Sequence, residues 1–309
     1  MKYLNIKNQI HNASEIALGM MRISGMQLSE IDALVKTALD NGINFFDHAD
    51  IYGGGKCEEV FADAVGMNAS IREKFIIQTK CGIRKGMFDF SKEHILSSVD
   101  ASLKRLKTEY VDVLLLHRPD TLAEPEEIAE AFDILRKNGK VRFFGVSNQK
   151  PYMIELLQKY LNNVGIDILF NQLQFSIAHT GIIDSGINVN MKNAGSVNHD
   201  GDVLEYCRLK EITIQPWSPF QYGFFEGVFL GNTDKFPKLN DVIDKYAAQY
   251  GVTNSAIAIA WILRHPAKMQ PVVGSTNKKR VAEICEASNV ILTRQEWYDI
   301  YLAAGNILP

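Results

Sequence analysis

Cysteine is scarce in this chain. The 309 residues hold four, Cys57, Cys81, Cys207 and Cys285, scattered too widely for a zinc pattern or a small disulfide scaffold. Positive charge is not in excess either. The formal net charge of −3 leaves no basic footprint for nucleic acid and no polybasic segment for a membrane surface. No apolar run approaches the ~18 residues of a membrane span, and the opening Met-Lys-Tyr-Leu-Asn-Ile-Lys-Asn lacks a signal-peptide core. A dinucleotide fingerprint is missing as well, because the glycine run Gly53, Gly54, Gly55 does not have G-x-G-x-x-G spacing. These absences lead to the expectation of a soluble, reduced, cytoplasmic protein.

What is present is a repeat of architecture. Apolar residues make up 46% and charged residues 22% of the chain, enough to bury a large core. Short β-rich runs alternate with helical segments every thirty to forty residues or so (roughly), the pattern of βα units on a parallel sheet. Strands are expected near Ile16–Leu18, Asn44–Phe46, Phe75–Thr79, Val111–Leu116, Arg142–Val146, Ile168–Gln172, Ile212–Pro216 and Pro271–Val273. That set suffices to close a (β/α)8 TIM barrel, an α/β fold that uses a chain of this length as one domain, here residues 1–309.

The helices between them are well marked. Ser29 precedes the stripe Ile31, Leu34, Val35, Ala38 and Leu39, and Asn41-Gly42 stops it. Ser91 precedes a similar stripe from Ile95 to Leu106, and Pro125 opens a helix that Asn138-Gly139 closes. The spans 278–287 and 294–302 read as two last helices. Two long connections, 179–202 and 220–237, lack a clear period and are expected to be lids or pocket walls.

The ends of the expected strands carry the chemistry. Strand two runs Gly42-Ile-Asn-Phe-Phe-Asp47 into a loop holding Tyr52; strand three ends at Lys80 and strand four at His117. Taken singly, each has an ordinary reading: a core histidine, a strand-ending lysine, a helix-capping aspartate. Barrel topology brings neighbouring strand ends to one mouth, and jointly the four can act on one group. A phenol with a pKa of about 10 is a poor acid at neutral pH unless a nearby cation stabilises the phenolate. Lys80 can be that cation, Asp47 can hold the ammonium, and His117 can direct a substrate carbonyl. Such a quartet can protonate a carbonyl oxygen; the hydride that completes a reduction comes from a cofactor.

Phe46-Asp47-His-Ala-Asp-Ile-Tyr52-Gly53 with Glu59 further on, Gly145-Val-Ser147-Asn148, and Trp217-Ser-Pro follow one another in the chain. Together they resemble the aldo-keto reductase family, and in particular its bacterial YdhF-like branch. The resemblance implies an NADPH-dependent reductase of aldehydes or ketones, with a small-molecule carbonyl substrate and no metal. It implies that Tyr52 is the proton donor, tuned by Asp47 and Lys80, with His117 orienting the carbonyl. Ser147, Asn148 and Gln172 would hydrogen-bond the nicotinamide carboxamide and Trp217 would stack on its ring. Ser218 and Phe220 would cover the pyrophosphate; Ser275, Asn277 and Arg280 would face the 2′-phosphate, and Glu283 the adenine.

The match has departures. Gly274 stands where many members have lysine, and Ile284 where an asparagine often follows the adenine-facing glutamate. NADPH is then favoured over NADH through Arg280, with Lys278 and Lys279 beside it, because an arginine fork suits a phosphate; NADH remains possible. Met21, Phe88, Phe220, Tyr222 and Phe224 are candidates for an apolar substrate wall, and each reads equally as loop packing. Two rival functions stand beside the reductase. One is a metal-dependent barrel hydrolase built on Asp47, His48, Asp50 and His117, the other a catalytically weak nicotinamide-binding regulatory protein.

Overall fold

The computed structural model describes residues 1–309, and its strands follow in order as β1 (Tyr3–Ile6), β2 (Ile10–Ser14), β3 (Ala17–Gly19), β4 (Phe45–Asp47), β5 (Ile76–Cys81), β6 (Ile83–Arg84), β7 (Met87–Phe88), β8 (Val111–Leu116), β9 (Val141–Ser147), β10 (Ile168–Gln174), β11 (Thr213–Trp217) and β12 (Val272–Val273). All the expected strands are there, displaced by a residue or so at some ends. They pair in parallel and close as a (β/α)8 barrel in the order β10-β11-β12-β3-β4-β5-β8-β9. The two remaining pairs, β1 with β2 and β6 with β7, are antiparallel hairpins outside the barrel. No helix is long and apolar enough to cross a membrane.

Burial on both faces explains the strand sequences. β8, Val-Asp-Val-Leu-Leu-Leu, is buried at every position, as a parallel strand walled by helices outside and side chains inside must be. The barrel interior is filled by Ala17, Phe45, Val113, Leu115, Leu169, Phe170 and Val272. Ile6, Ile10 and Ala13 of the β1–β2 hairpin join this cluster. That hairpin was not expected from the sequence, and its apolar side chains extend the interior core. On β9 a side chain at Gly145 would come within 2.6 Å of Leu115 and 2.9 Å of the Phe170 carbonyl oxygen, so only glycine admits this packing.

Helices 28–40, 92–106 and 125–137 form where the apolar stripes stand, and Ser91 caps the second through a bond from the His94 amide at 3.3 Å. The first helix starts earlier than expected, because Gln27 is its cap residue and Glu30 reaches back to the Gln27 amide at 3.0 Å. Connection 179–202 is not a structureless loop. It contains a helix, Gly181–Ile187, tied to the C-terminal helix by Tyr301 donating to Asp184 at 2.8 Å. Connection 220–237 does lie over the barrel mouth.

One buried ion pair lies beside the first turns of β5 and β8. Arg72 donates to Asp112 at 2.6 Å and to the Phe75 carbonyl at 2.8 Å, and Asp112 also receives the Ile77 amide at 2.9 Å and Arg142 at 3.0 Å. Both Arg72 and Asp112 are buried. Removing one member of such a pair leaves the other charge uncompensated. Asp112→Ala is therefore expected to cost about 3–5 kcal/mol of stability, measured by urea unfolding; a loss below about 1 kcal/mol, typical of an exposed pair, contradicts it.

Candidate active site

Lys80 is fully buried at the mouth end of β5, and an ammonium has three hydrogens to place. All three are used. One goes to the Asp47 carboxylate at 2.7 Å, one to the His48 carbonyl at 2.8 Å and one to the Tyr52 hydroxyl at 3.1 Å. The turn that delivers Tyr52 needs its glycines: Gly53, Gly54 and Gly55 all have positive φ. A side chain on Gly53 would also come within 2.7 Å of Ser24, and one on Gly55 within 2.9 Å of Arg105. His117 follows β8, and its ring meets that of Tyr52 edge to face with centroids 5.9 Å apart. The four residues expected to act together are together.

A string of amides that the sequence did not announce supports Asp47. Gln78 and Gln172 both donate to its Oδ1, at 2.6 and 3.1 Å, and both donate a second hydrogen to Gln215 Oε1 at 2.9 and 3.1 Å. Gln215 donates to Gln270 at 2.9 Å, and Gln270 to the Ser14 carbonyl at 2.6 Å. All four glutamines are buried. Gln78 and Gln215 point inward from mid-strand, positions an alternating pattern assigns to apolar core, so only their polarity inside an apolar run signalled them.

Burial and Lys80 set the electrostatics. Burial, with Lys80 second, pushes the His48 imidazole down to about 3. Its ring packs on Phe61 with centroids 4.6 Å apart, and neither ring nitrogen has a partner. Burial, then Lys80 and Arg118, hold His117 well below its ordinary value, so it is neutral. Tyr52 corrects the expectation of an acidified phenol. Burial raises its pKa by more than Lys80 lowers it, so at neutral pH the hydroxyl carries its proton. Lys80 itself is held up: burial opposes its charge, but Asp47 and Tyr52 outweigh it.

These groups open on a cavity of about 630 Å³. Ser147, Asn148, Gln172, Trp217, Ser218, Phe220, Ser275 and Arg280 line it, as does Met21. Trp217 donates its indole hydrogen to Asn148 at 3.1 Å, Asn148 donates to Ser147 at 2.8 Å, and Ser147 to the Gln172 carbonyl at 3.0 Å. Asn277 lies outside the lining and caps helix 278–285 through the Arg280 amide at 3.2 Å. Glu283 lies on that helix one turn beyond, also outside the lining, beside Lys279 at 3.8 Å.

Several expectations need correction. Phe88 does not line the cavity: it sits on the short β6–β7 hairpin with its ring turned to solvent, 43% exposed. Tyr222 packs on Phe236 under the Lys235 ammonium, 4.0 Å from its ring, and is likewise outside. Phe224, a candidate on the same loop, does line the cavity, and Phe225 joins it there around Trp217. Connection 179–202 contributes no lining residue, held as it is against the C-terminal helix. The buried carboxylate after the glycines is Glu58, bonded to Thr79 at 2.6 Å and Arg105 at 2.7 Å; Glu59 pairs with Lys56 nearer the surface. For the metal-hydrolase alternative, Asp47 is spent on Lys80 and the His48 ring faces Phe61, and no three His, Cys, Asp or Glu side chains converge. Arg22 and Arg118 line the cavity and were overlooked. For Arg118 the signal was its place directly after His117.

Comparison with known proteins agrees with the geometry. The model of the Aldo/keto reductase family matches residues 15–302. A 6-dehydroglucose reductase of Agrobacterium fabrum is 33% identical, with 94% of each chain covered. The oxidoreductase YdhF of Escherichia coli is 32% identical over 94% of this chain and 93% of its own. Among solved structures, a thermostable aldo-keto reductase in complex with the inhibitor epalrestat superposes with a TM-score of 0.74 at 24% identity, covering 98% of this chain and 100% of that one.

Asp50 generates a prediction about pH. Burial, with Glu58 second, raises its carboxyl from 3.8 to about 7, and its Oδ1 has no partner. A carboxyl with a raised pKa binds its proton more tightly in the folded state, so its own contribution to stability is greatest at acid pH and falls as pH rises from about 4 through about 7. Asp50→Asn removes that fall. The variant should be more stable than the parent at pH 8, by roughly 2 kcal/mol once the full linkage of about 4 kcal/mol is halved for the carboxyl's partial exposure, and nearly equal to it at pH 4. Thermal unfolding across this range checks it, and parallel pH profiles for the two proteins would contradict it.

Proposed function

The chain belongs to the aldo/keto reductase family, oxidoreductases that use nicotinamide cofactors, and from that premise we propose that it reduces aldehydes or ketones with NADPH, Tyr52 giving up the proton. The observation that carries this reading is the position of the Tyr52 hydroxyl, 3.1 Å from a buried ammonium and with its ring against that of His117. A carbonyl oxygen received between Tyr52 and His117 takes a hydrogen bond from each. As negative charge grows on that oxygen, the Tyr52 proton moves to it, and Lys80 stabilises the phenolate left behind. Asp47 keeps Lys80 charged, and Gln78 and Gln172 keep Asp47 turned toward it.

The cavity residues fit a nicotinamide dinucleotide. Trp217 offers a flat aromatic wall whose position is fixed by its bond to Asn148. The amide and hydroxyl groups of Asn148 and Ser147 lie beside it and can meet a carboxamide. Ser275 and Arg280 lie past the end of β12, at the start of helix 278–285, where backbone amides and a guanidinium favour phosphate. Bound there, the cofactor supplies the hydride. Arg280 is the reason for favouring NADPH over NADH.

Tyr52→Phe removes the proton donor and leaves the cavity shape. It should lower kcat for an aldehyde such as 4-nitrobenzaldehyde by about 10²–10⁴-fold, with NADPH affinity nearly intact. Retained turnover would remove Tyr52 from the reaction. Arg280→Ala should weaken NADPH by about 10–100-fold in a fluorescence titration and leave NADH almost unaffected, since a charge-assisted hydrogen bond is lost only for the phosphate. Equal losses would undo the phosphate assignment.

A further inference from the structure

Arg118 is half-buried at the barrel mouth and makes neither a hydrogen bond nor an ion pair with any protein group, whereas the more deeply buried Lys80 and Glu58 are matched. Lys80 has Asp47, and Glu58 has Arg105. The Arg118 guanidinium stands 5.5 Å from the ring centroids of both Trp217 and Phe224, arched over the cavity. Its neighbour Asp120 forms no ion pair with it; that carboxylate faces the Phe90 and Leu122 amides. Across the same cavity lies Arg22, exposed and also without a partner. The only acid in the lining is Asp47, which is spent on Lys80.

The 2′-phosphate candidates do not account for Arg118. In the barrel order β8 and β12 are four places apart whichever way round they are counted, hence on opposite sides. Ser275 and Arg280, the phosphate candidates, follow β12. Arg118 follows β8, next to His117 and on the side of Tyr52. A partly desolvated guanidinium left unmatched is costly, and a planar fork of donors matches a carboxylate or phosphate.

We propose that the substrate is a carbonyl compound carrying an anionic group, which Arg118 holds over the mouth, with Arg22 adding to the field, while its carbonyl reaches Tyr52 and His117. This rests on the reading of the chain as a carbonyl reductase. A carboxylate fits the fork in a plane, and a phosphate meets the same donors.

The test compares NADPH-dependent reduction of 4-carboxybenzaldehyde with that of its neutral methyl ester, and of glyceraldehyde 3-phosphate with glyceraldehyde. The parent protein should prefer the charged member of at least one pair by tenfold or more in kcat/KM; which pair does so separates carboxylate from phosphate. Arg118→Gln should lower that preference by about 10–100-fold, and Arg118→Lys, which keeps the charge without the fork, should retain part of it. Equal use of charged and neutral members overturns the proposal, as does a preference that survives Arg118→Gln. A rise in the NADPH dissociation constant of Arg118→Gln matching the loss of turnover overturns it too, by giving Arg118 to the cofactor. If the parent oxidises NADPH with no aldehyde at all, the reductase reading fails by itself. Binding of 4-carboxybenzoate and phosphate, followed by quenching of tryptophan fluorescence, then decides separately: weakening in Arg118→Gln supports the anion site, and identical binding overturns it.

Discussion

The ion pair between Lys80 and Asp47 is the constraint on which the mouth of this barrel depends. Each charge is expensive to bury, and neither is tolerable without the other. Their geometry leaves nothing free to rotate. The three ammonium hydrogens go to Asp47, the His48 carbonyl and Tyr52, so the direction of the third bond is set by the other two. Asp47 can only accept, and this polarity propagates. Gln78 and Gln172 must turn their amino groups to it, which presents the same amino groups to the Gln215 oxygen. Gln215 must then offer its own amino group to Gln270, and Gln270 to the Ser14 carbonyl. One carboxylate thereby orients four amides along the barrel interior, in surroundings where each bond is stronger than in water. The cost falls on Gln78, whose Oε1 is left without a partner.

The same low-polarity surroundings sort the remaining titratable groups. A second cation near Lys80 would be repelled and poorly solvated, so both His48 and His117 are neutral. Neutrality suits His117, because an imidazole without charge can orient a carbonyl and leave the proton transfer to Tyr52. Tyr52 is more buried than a phenolate could bear unaided. Lys80 does not make it a strong acid beforehand; its stabilisation grows only as the proton leaves. That is the condition for a contact to lower a barrier rather than to relax the resting state.

Sequence and structure agree where a residue must do one thing. Strands such as β8, buried on both faces, read as mostly apolar runs, broken there only by the ion-paired Asp112, and the polar residues that end them were visible by contrast with those runs. Legibility failed where one pattern serves two structures. Helix 254–263, Asn-Ser-Ala-Ile-Ala-Ile-Ala-Trp-Ile-Leu, is buried on nearly every side and so has no stripe to betray its period. The Gly181–Ile187 helix is only seven residues long, too short to show a period, and it is held by the distant Tyr301 rather than by its own pattern. Glu58 and Glu59 are adjacent and chemically alike; only the position of Arg105 on another helix decides which is buried. Of the rings expected in the aromatic loop's wall, Phe220 and Phe224 line the cavity, whereas the turn through Gly223 and Gly227 sends Tyr222 back onto Phe236. Loop side chains carry no periodicity, so nothing local distinguishes these rings.

The glutamines mark a different limit. A polar side chain inside a strand normally argues for an exposed face, and Gln78, Gln172, Gln215 and Gln270 lie on strands or beside them where both faces are covered. Each alone would be an unmatched burial, destabilising by the cost of a lost hydrogen bond. They become tolerable only as a set, and the set exists only once the barrel has closed and brought β5, β10 and β11 around one axis. The string therefore depends on closure, and its far end, Asp47, holds the lysine that holds Tyr52. The geometry around Tyr52 is in this sense a property of the whole barrel interior, reached from Ser14 at one end and from the glycine turn at the other.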